Sequence, residues 1–144
     1  MKQDKKIYFH TEDIQFTLRN KLLLRNWLIT VARKHKKTID TINYIFVSDE
    51  YLYKMNVQFL NHKSLTDIIT FQYSDTDSKQ ISGDIYISID RVRDNASIFK
   101  TGFTNELHRV LSHGLLHLCG YKDKTPQEEK RMRILEEKAL DLLK

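Results

Sequence analysis

The sequence has few residues that form disulfides, interrupt helices and strands, or make the backbone flexible. Among its 144 residues there is one cysteine, Cys119, one proline, Pro126, and four glycines. A single cysteine excludes an internal disulfide and is typical of proteins from a reducing compartment. Because glycine and proline are so scarce, no segment has the composition of a flexible linker, and we expect a single domain spanning residues 1–144.

Long apolar runs are missing as well. No stretch approaches the ~20 apolar residues that a transmembrane helix needs. The polar start, Met1–Lys6, is not followed by the apolar segment that is typical of a signal peptide. The sequence therefore predicts a cytoplasmic protein without membrane contact.

Acidic residues are in the minority. The chain has 24 Lys and Arg against 19 Asp and Glu, a formal net charge of +5 and a pI of about 9.2. This modest excess suits an anionic partner, although many cytosolic domains carry as much. Residues 33–37 form a basic run at the end of a predicted helix. These charges either complement the helix dipole or form a nucleic-acid-binding patch.

Hydrophobic periodicity predicts alternating strands and helices. Short β-branched and aromatic runs are typical of strands, whereas apolar residues every three or four positions indicate helices. The predicted strands are residues 7–9, 41–47, 65–71 and 83–89, of which the last two are expected to pair. The predicted helices are residues 20–35, 48–59 with Phe59 facing inward, 90–99, 104–119 capped by Thr104, and a last helix that begins at the capping box of Thr125. This order predicts an α/β (α+β) domain in which a mixed sheet of about four strands packs against helices.

The run His113–Asp123 carries residues that are typical of a metal site. His113 and His117 lie four residues apart, on one face of a predicted helix. Gly120 is predicted to end this helix, so that the chain turns back and Asp123 becomes a third ligand. Gly114 costs ~1 kcal/mol relative to alanine inside a helix, which indicates that another part of the protein approaches the backbone there. A histidine pair also occurs on ordinary polar helix faces, but the glycine and aspartate at fixed offsets favour the metal site.

The pattern His-x-x-x-His-x-x-Gly-x-x-Asp has the spacing of the metzincin zinc signature. Gly114 stands where a protease carries its general-base glutamate, which argues against peptide hydrolysis. Two nitrogen ligands and one oxygen ligand with an open fourth position favour a catalytic zinc site. We therefore expect one Zn²⁺ per chain, bound by His113, His117 and Asp123. Cys119 is expected to be a small buried residue rather than a ligand.

This run resembles the signature of the YbeY family of bacterial endoribonucleases, in which His-Gly-x-Leu-His-Leu-x-Gly-Tyr precedes a third metal-binding residue. Thr66–Phe71, which reads TDIITF, and Gly83–Ile85 resemble two further blocks of the family, so that the likeness covers about residues 44 to 124. Two positions depart from the family pattern. Asp123 stands where most members have histidine, although aspartate is also a zinc ligand. Leu60 stands where members commonly carry a functional arginine.

The resemblance implies a single-strand-specific, zinc-dependent endoribonuclease of ribosomal RNA processing, which matures the 3′ end of the small-subunit RNA and acts in ribosome quality control. The implied partners are the ribosomal RNA precursor and the small ribosomal subunit. Without the resemblance, the residues indicate only a metal-dependent hydrolase. Two alternatives stay open, a ribosome-associated RNA-binding factor with a structural zinc and a metalloprotease-like hydrolase.

Basic residues near the predicted metal site are candidates for contact with RNA. Lys122 and Lys124 flank Asp123 and are predicted to bind phosphate. Together with Lys63, they are the candidates to replace the guanidinium that is missing at Leu60.

Other residues are candidates for catalysis or for the third ligand. Asp67 and Asp84 lie at the beginnings of predicted strands and are candidates for a general base. Each also suits a turn cap or a hydrogen-bond partner of a ligand histidine. His62 is the alternative third ligand, whereas His108 is predicted to point away from the face of His113.

Overall fold

A computed structural model describes residues 6–60, 66–75 and 77–143, and the side chain of Leu60 lies outside this description. Strands and helices alternate in the first half of the chain, and helices dominate the second half. In chain order the elements are β1 (Ile7–Thr11), α1 (Lys21–Lys34), β2 (Thr38–Val47), α2 (Asp49–Leu60), β3 (Ile68–Gln72), β4 (Gln80–Ser88), α3 (Ile89–Ile98), α4 (Phe103–Leu118) and α5 (Pro126–Asp141).

The described strands form one mixed sheet in the order β1, β2, β4, β3. β1 and β4 both pair with β2 in parallel, so that Ile42 lies between Ile7 and Gly83. β3 pairs antiparallel with β4 and forms one edge of the sheet. The predicted α/β fold with a mixed sheet of four strands is confirmed, and so is the pairing of its last two strands.

The two faces of the sheet are covered by different helices. On one face, Ile42, Tyr44 and Ile85 pack with apolar residues of α1, α4 and α5 in the main core. On the other face, Leu52 of α2 joins Ile45, Val47 and Ile69 in a smaller cluster. Because side chains alternate along a strand, both clusters draw on the same strands. α4 therefore lies between the sheet and α5.

Two glycines allow α4 to lie close against β4. A Cβ atom on Gly114 would be 2.8 Å from Cγ2 of Ile85 and 2.9 Å from Cδ1 of Ile68. A Cβ atom on Gly83 would be 2.9 Å from Cδ2 of Leu118. The helix thus touches the sheet at residue 114 and again one turn later. The close approach predicted from Gly114 is confirmed.

α1 is joined to α5 by a hydrogen bond between residues far apart in sequence. The indole Nε1 of Trp27 donates to the carbonyl oxygen of Ala139 over 2.7 Å. Trp27 is buried, so this bond satisfies a donor that would otherwise lie in the core without a partner. The first and the last helix are therefore held together.

Three local predictions are wrong. Gly102, not Thr104, is the N-cap of α4, because the N–H of Glu106 donates to the carbonyl oxygen of Gly102. Ile89 begins α3 rather than ending a strand, because the Ser88 hydroxyl accepts from the N–H of Arg91 and caps the helix. Phe59, predicted to face inward, is 58% exposed and rests edge-on against Phe71 at the end of α2.

Among the described residues, none of the helices combines the length and the hydrophobicity needed to span a lipid bilayer.

Candidate metal centre

The last two turns of α4 and the turn that follows them present His113, His117 and Asp123 to one point. α4 ends at Leu118, and Gly120 has a φ of 108°, a value that L side chains rarely adopt. The N–H of Gly120 donates to the carbonyl oxygen of His117, and the N–H of Tyr121 donates to that of Leu116. The predicted helix end at Gly120 is confirmed, and the chain turns back there.

The three side chains lie at the distances expected of ligands to one small cation. Nε2 of His113 is 3.0 Å from Nε2 of His117, and Oδ2 of Asp123 lies 3.2 Å and 3.3 Å from these two nitrogens. Tetrahedral ligands at about 2.0–2.1 Å from zinc lie about 3.3 Å from one another. The histidine side chains are 19% and 24% exposed and the aspartate is 35% exposed, so that an ion can reach the cluster from solvent. The three residues therefore fit a metal ion.

Hydrogen bonds on the other side of each ring fix which nitrogen faces the cluster. Nδ1 of His113 donates to Oε2 of Glu136 over 2.5 Å, and Nδ1 of His117 donates to the carbonyl oxygen of Tyr121 over 3.0 Å. In the neutral rings, both Nε2 atoms then turn lone pairs toward each other and toward a carboxylate. Only a cation or a shared proton stabilises such an arrangement, and this is the orientation that metal-binding histidines adopt.

Glu136 belongs to a buried chain of ionic hydrogen bonds. Its other oxygen accepts from Arg109 over 2.7 Å, and Arg109 also donates to Glu106 over 2.6 Å. Glu106 and Glu136 are 1% and 2% exposed. Glu136 was not among the residues predicted from the sequence, although a signal was present. Glu136 follows Met132 by four residues and precedes Ala139 by three, so it lies on the apolar stripe of α5.

The local charges move the pKa values of the site in opposite directions. Burial by itself would lower the pKa of His113, but the hydrogen bond and the charge of Glu136 outweigh burial and raise this pKa. Burial and the neighbouring His113 lower the pKa of His117. Burial would raise the pKa of Glu136, yet His113 and Arg109 hold it below its ordinary value. Glu136 is therefore ionised beside His113.

A cleft of about 200 Å³ opens beside His113 and Asp123. Asp67, just before β3, lines this cleft, and burial raises the pKa of its carboxyl group. Arg133 of α5 lines it with an exposed side chain. The remaining lining residues are Arg109, Val110, Glu129, Met132 and Glu136. The cleft thus combines the candidate ligands with a carboxyl group and a guanidinium.

The two lysines predicted to bind RNA lie on the surface near this cleft. Lys122 is exposed and lines a neighbouring groove with Tyr121 and Arg131. Lys124 is exposed, and its backbone N–H donates to Glu128. Their contact with RNA stays a prediction.

The other candidates from the sequence lie elsewhere. Asp84 is in the middle of β4, not at its beginning, and binds Asn43 and Tyr73 on the sheet face opposite α4. His108 packs against Trp27. Cys119 is buried, which raises the pKa of its thiol to about 12. His62 and Lys63 lie outside the described residues.

Comparisons with known proteins agree over nearly the whole chain. The family model described as "Endoribonuclease YbeY" matches residues 6–144. A protein of that name from Cytophaga hutchinsonii is 53% identical over 142 residues, which is 99% of each chain. One from Flavobacterium johnsoniae is 48% identical over 128 residues, covering 89% of this chain and 91% of the relative. The solution structure of TM1509 from Thermotoga maritima superposes with a TM-score of 0.66 at 28% identity, covering 95% of this chain and 88% of that one.

Proposed function

Since the chain belongs to the YbeY endoribonuclease family, we propose that it is a single-strand-specific endoribonuclease that processes ribosomal RNA precursors with one bound zinc ion. In this proposal, residues 1–144 form a single domain that acts in the cytoplasm, matures the 3′ end of the small-subunit RNA and takes part in ribosome quality control. Its partners are the precursor RNA and the small ribosomal subunit.

One observation carries the metal-dependent part of this proposal. Two Nε2 lone pairs and one carboxylate oxygen meet within 3.3 Å, while both Nδ1 atoms are occupied by hydrogen bonds. His113, His117 and Asp123 would hold the ion, and nitrogen and oxygen ligands with an open position favour zinc. Zinc held by these residues would supply Lewis acidity, which can polarise a phosphoryl oxygen and activate water at neutral pH.

The residues around the cleft have distinct roles in this proposal. Glu136 keeps the Nδ1 proton of His113 in place, so that Nε2 stays available as a ligand. Asp67 lines the cleft and is the candidate to exchange a proton with the substrate at its carboxyl oxygen.

Arg133 is the candidate to replace the guanidinium that is missing at Leu60. Arg109 also lines the cleft, but its guanidinium is held by Glu106 and Glu136. The exposed side chain of Arg133 stands at the same cleft, where a guanidinium can bind a phosphate through two donors. Lys122 and Lys124 contribute further positive charge from the turn.

The packing of Gly114 argues against the metalloprotease alternative. A side chain at this position would point at Ile85 and Ile68 in the core rather than into the cleft. The general-base glutamate of a zinc protease therefore has no room at residue 114.

Metal content and RNA cleavage, measured on the same preparation, test the proposed function. We expect about one zinc ion per chain and cleavage of single-stranded RNA in preference to duplex RNA. Chelation should abolish cleavage and added zinc should restore it. His117→Ala should abolish it as well, whereas His108→Gln, a change on the same helix outside the cluster, should retain it.

Two results would contradict the proposal. Zinc bound at full occupancy without cleavage of any RNA would favour the RNA-binding factor with a structural zinc. Cleavage that survives both chelation and His117→Ala would show that the cluster is not the active site.

A further inference from the structure

We propose that a basic strip, formed by Lys34, His35, Lys122, Arg131 and Lys138, binds the phosphate backbone of single-stranded RNA and leads the strand to the metal centre. This inference rests on the proposed endoribonuclease function, and it names the surface on which the substrate lies outside the cleft.

The strip is assembled around Tyr121 from three separate parts of the chain. Nδ1 of His35, directly after α1, lies 2.9 Å from the Tyr121 hydroxyl oxygen. The guanidinium carbon of Arg131, on α5, lies 5.3 Å from the centre of the Tyr121 ring. Lys122 is the next residue in the turn after α4. Residues distant in sequence therefore bring positive charge to one surface.

Two grooves run along the strip. The groove between α1 and α5 has a volume of about 340 Å³, and Lys34, His35 and Lys138 line it together with apolar residues. Within the described part of the chain, no acidic side chain lines this groove. The second groove, of about 420 Å³, is lined by Lys122 and Arg131.

One carboxylate, that of Glu128, borders the second groove. Its Oε1 accepts from the backbone N–H groups of Lys124 and Thr125, both over 3.0 Å. Its negative charge is thereby directed into the cap of α5, and the groove keeps a cationic lining.

The electrostatics of His35 show that the cations of the strip are close together. Burial lowers the pKa of His35, and the positive charges of Arg131 and Lys138 lower it further. A phosphate bound beside His35 would offset this effect of Arg131 and Lys138.

A helix dipole does not account for the whole strip. Lys34 is at the C-terminal end of α1, where a cation complements the dipole. Arg131 and Lys138, however, belong to α5, and Arg131 is in the first half of that helix. The structure thus favours the nucleic-acid interpretation of this part of the basic run at residues 33–37.

The strip is continuous with the candidate active site. The carbonyl oxygen of Tyr121 accepts from His117, and Met132 lines both the second groove and the cleft beside His113. Arg131 and Lys138 are seven residues apart, which is about 10 Å along a helix.

Salt-dependent RNA binding tests the inference. The full-length chain is titrated, with chelator present to prevent cleavage, against a labelled single strand of about 12 nucleotides at several salt concentrations. Each phosphate contact contributes about 0.7 to the slope of log affinity against log salt. The variant Lys34→Gln/Arg131→Gln/Lys138→Gln should therefore have a slope that is less steep by about 2. The control Lys21→Gln/Lys54→Gln/Lys100→Gln loses the same charge elsewhere and should keep the wild-type slope.

The metal-loaded proteins give the second readout. The strip variant should keep its zinc content and kcat and show a raised KM. An unchanged slope in the strip variant, or an equal loss in the control, would overturn the inference and leave an acidic protein surface as the alternative ligand. If the wild type binds RNA with a steep dependence of affinity on salt but cleaves none, the proposed function is contradicted while RNA binding by the strip is still supported.

Discussion

In the proposed metal centre, Glu136 would act through its contact with His113, without contact to the ion itself. Its carboxylate receives the Nδ1 proton of His113 and is itself held by Arg109. A carboxylate in this position fixes the ring and raises the basicity of the ligating nitrogen. We therefore expect Glu136→Gln to bind zinc about 10–100-fold more weakly than the wild type.

Competition with a chromogenic chelator measures this affinity. Glu137→Gln is the matched control, because it neutralises the neighbouring residue, whose side chain is exposed. This change should leave the zinc affinity unchanged. Glu136→Asp should recover part of the affinity, which a purely structural role in α5 does not explain. Equal affinities for Glu136→Gln and Glu137→Gln would remove Glu136 from the site.

Asp123 is the candidate ligand that departs from the commoner family pattern. Its Oδ2 lies as close to both histidine nitrogens as a tetrahedral ligand should. If an apparent zinc-binding free energy of about 10–16 kcal/mol is spread over four ligands, each contributes about 3 kcal/mol, or about 100-fold in affinity. Asp123→Ala should lose about this much, whereas Asp123→His should keep the metal.

His62→Ala provides the discriminating control for Asp123. If zinc affinity fell in His62→Ala and stayed at the wild-type value in Asp123→Ala, His62 would be the third ligand.

At the scale of elements, the contact between α4 and β4 fixes the height of the two histidines above the sheet. Gly114→Ala would place a methyl group 2.8 Å from Cγ2 of Ile85. Because isoleucine is β-branched, Cγ2 can move away only if the whole side chain of Ile85 changes its rotamer. Overpacking costs about 1–3 kcal/mol. The ~1 kcal/mol that alanine contributes inside a helix offsets part of this cost.

We therefore expect Gly114→Ala to lower the free energy of unfolding by about 1 kcal/mol and to weaken zinc binding, because α4 shifts away from Asp123. Chemical denaturation and metal titration measure the two effects. Gly102→Ala meets no atom within 4 Å and should affect only the helix cap, with zinc affinity unchanged. If Gly114→Ala kept the wild-type stability and zinc affinity, the contact between α4 and β4 would be able to accommodate a methyl group without cost.

At the scale of the whole molecule, packed histidines make stability depend on pH. Burial lowers the pKa of His108, which belongs to α4 and packs against Trp27, below its ordinary value of 6.5. Below pH 6.5 the unfolded chain then binds more protons at this residue than the folded chain. The contribution of His108 to stability is thus complete above this pH and is lost as the pH falls through the folded pKa.

Urea unfolding at about pH 7.5 and about pH 5.5, with chelator present, measures this contribution. The wild type should lose more stability between the two values than His108→Gln, in which the titrating group is absent. Because other histidines titrate equally in both proteins, the difference isolates His108. Parallel losses would mean that residue 108 has an ordinary pKa in the folded chain.

The proximity of the three candidate ligands could be predicted from the sequence because they lie within one helix and the following turn, where local geometry fixes their positions. Glu136 and Arg133 come from α5, and their distance to the cluster depends on how two helices pack, which periodicity does not encode. The strands were predicted for the same local reason. Their order was not predicted, because β2 pairs in parallel with both β1 and β4 through residues that are far apart in sequence, and periodicity does not encode such pairings.

Trp27 gives the molecule an optical reporter of its own assembly. It is the one tryptophan of the chain, and its indole contacts both the carbonyl oxygen of Ala139 and the ring of His108. Undocking of α5 would expose this indole to water and shift its emission to longer wavelengths. Since α5 also carries Glu136, the same unlabelled fluorescence signal follows the closing of the last helix onto the metal centre in real time.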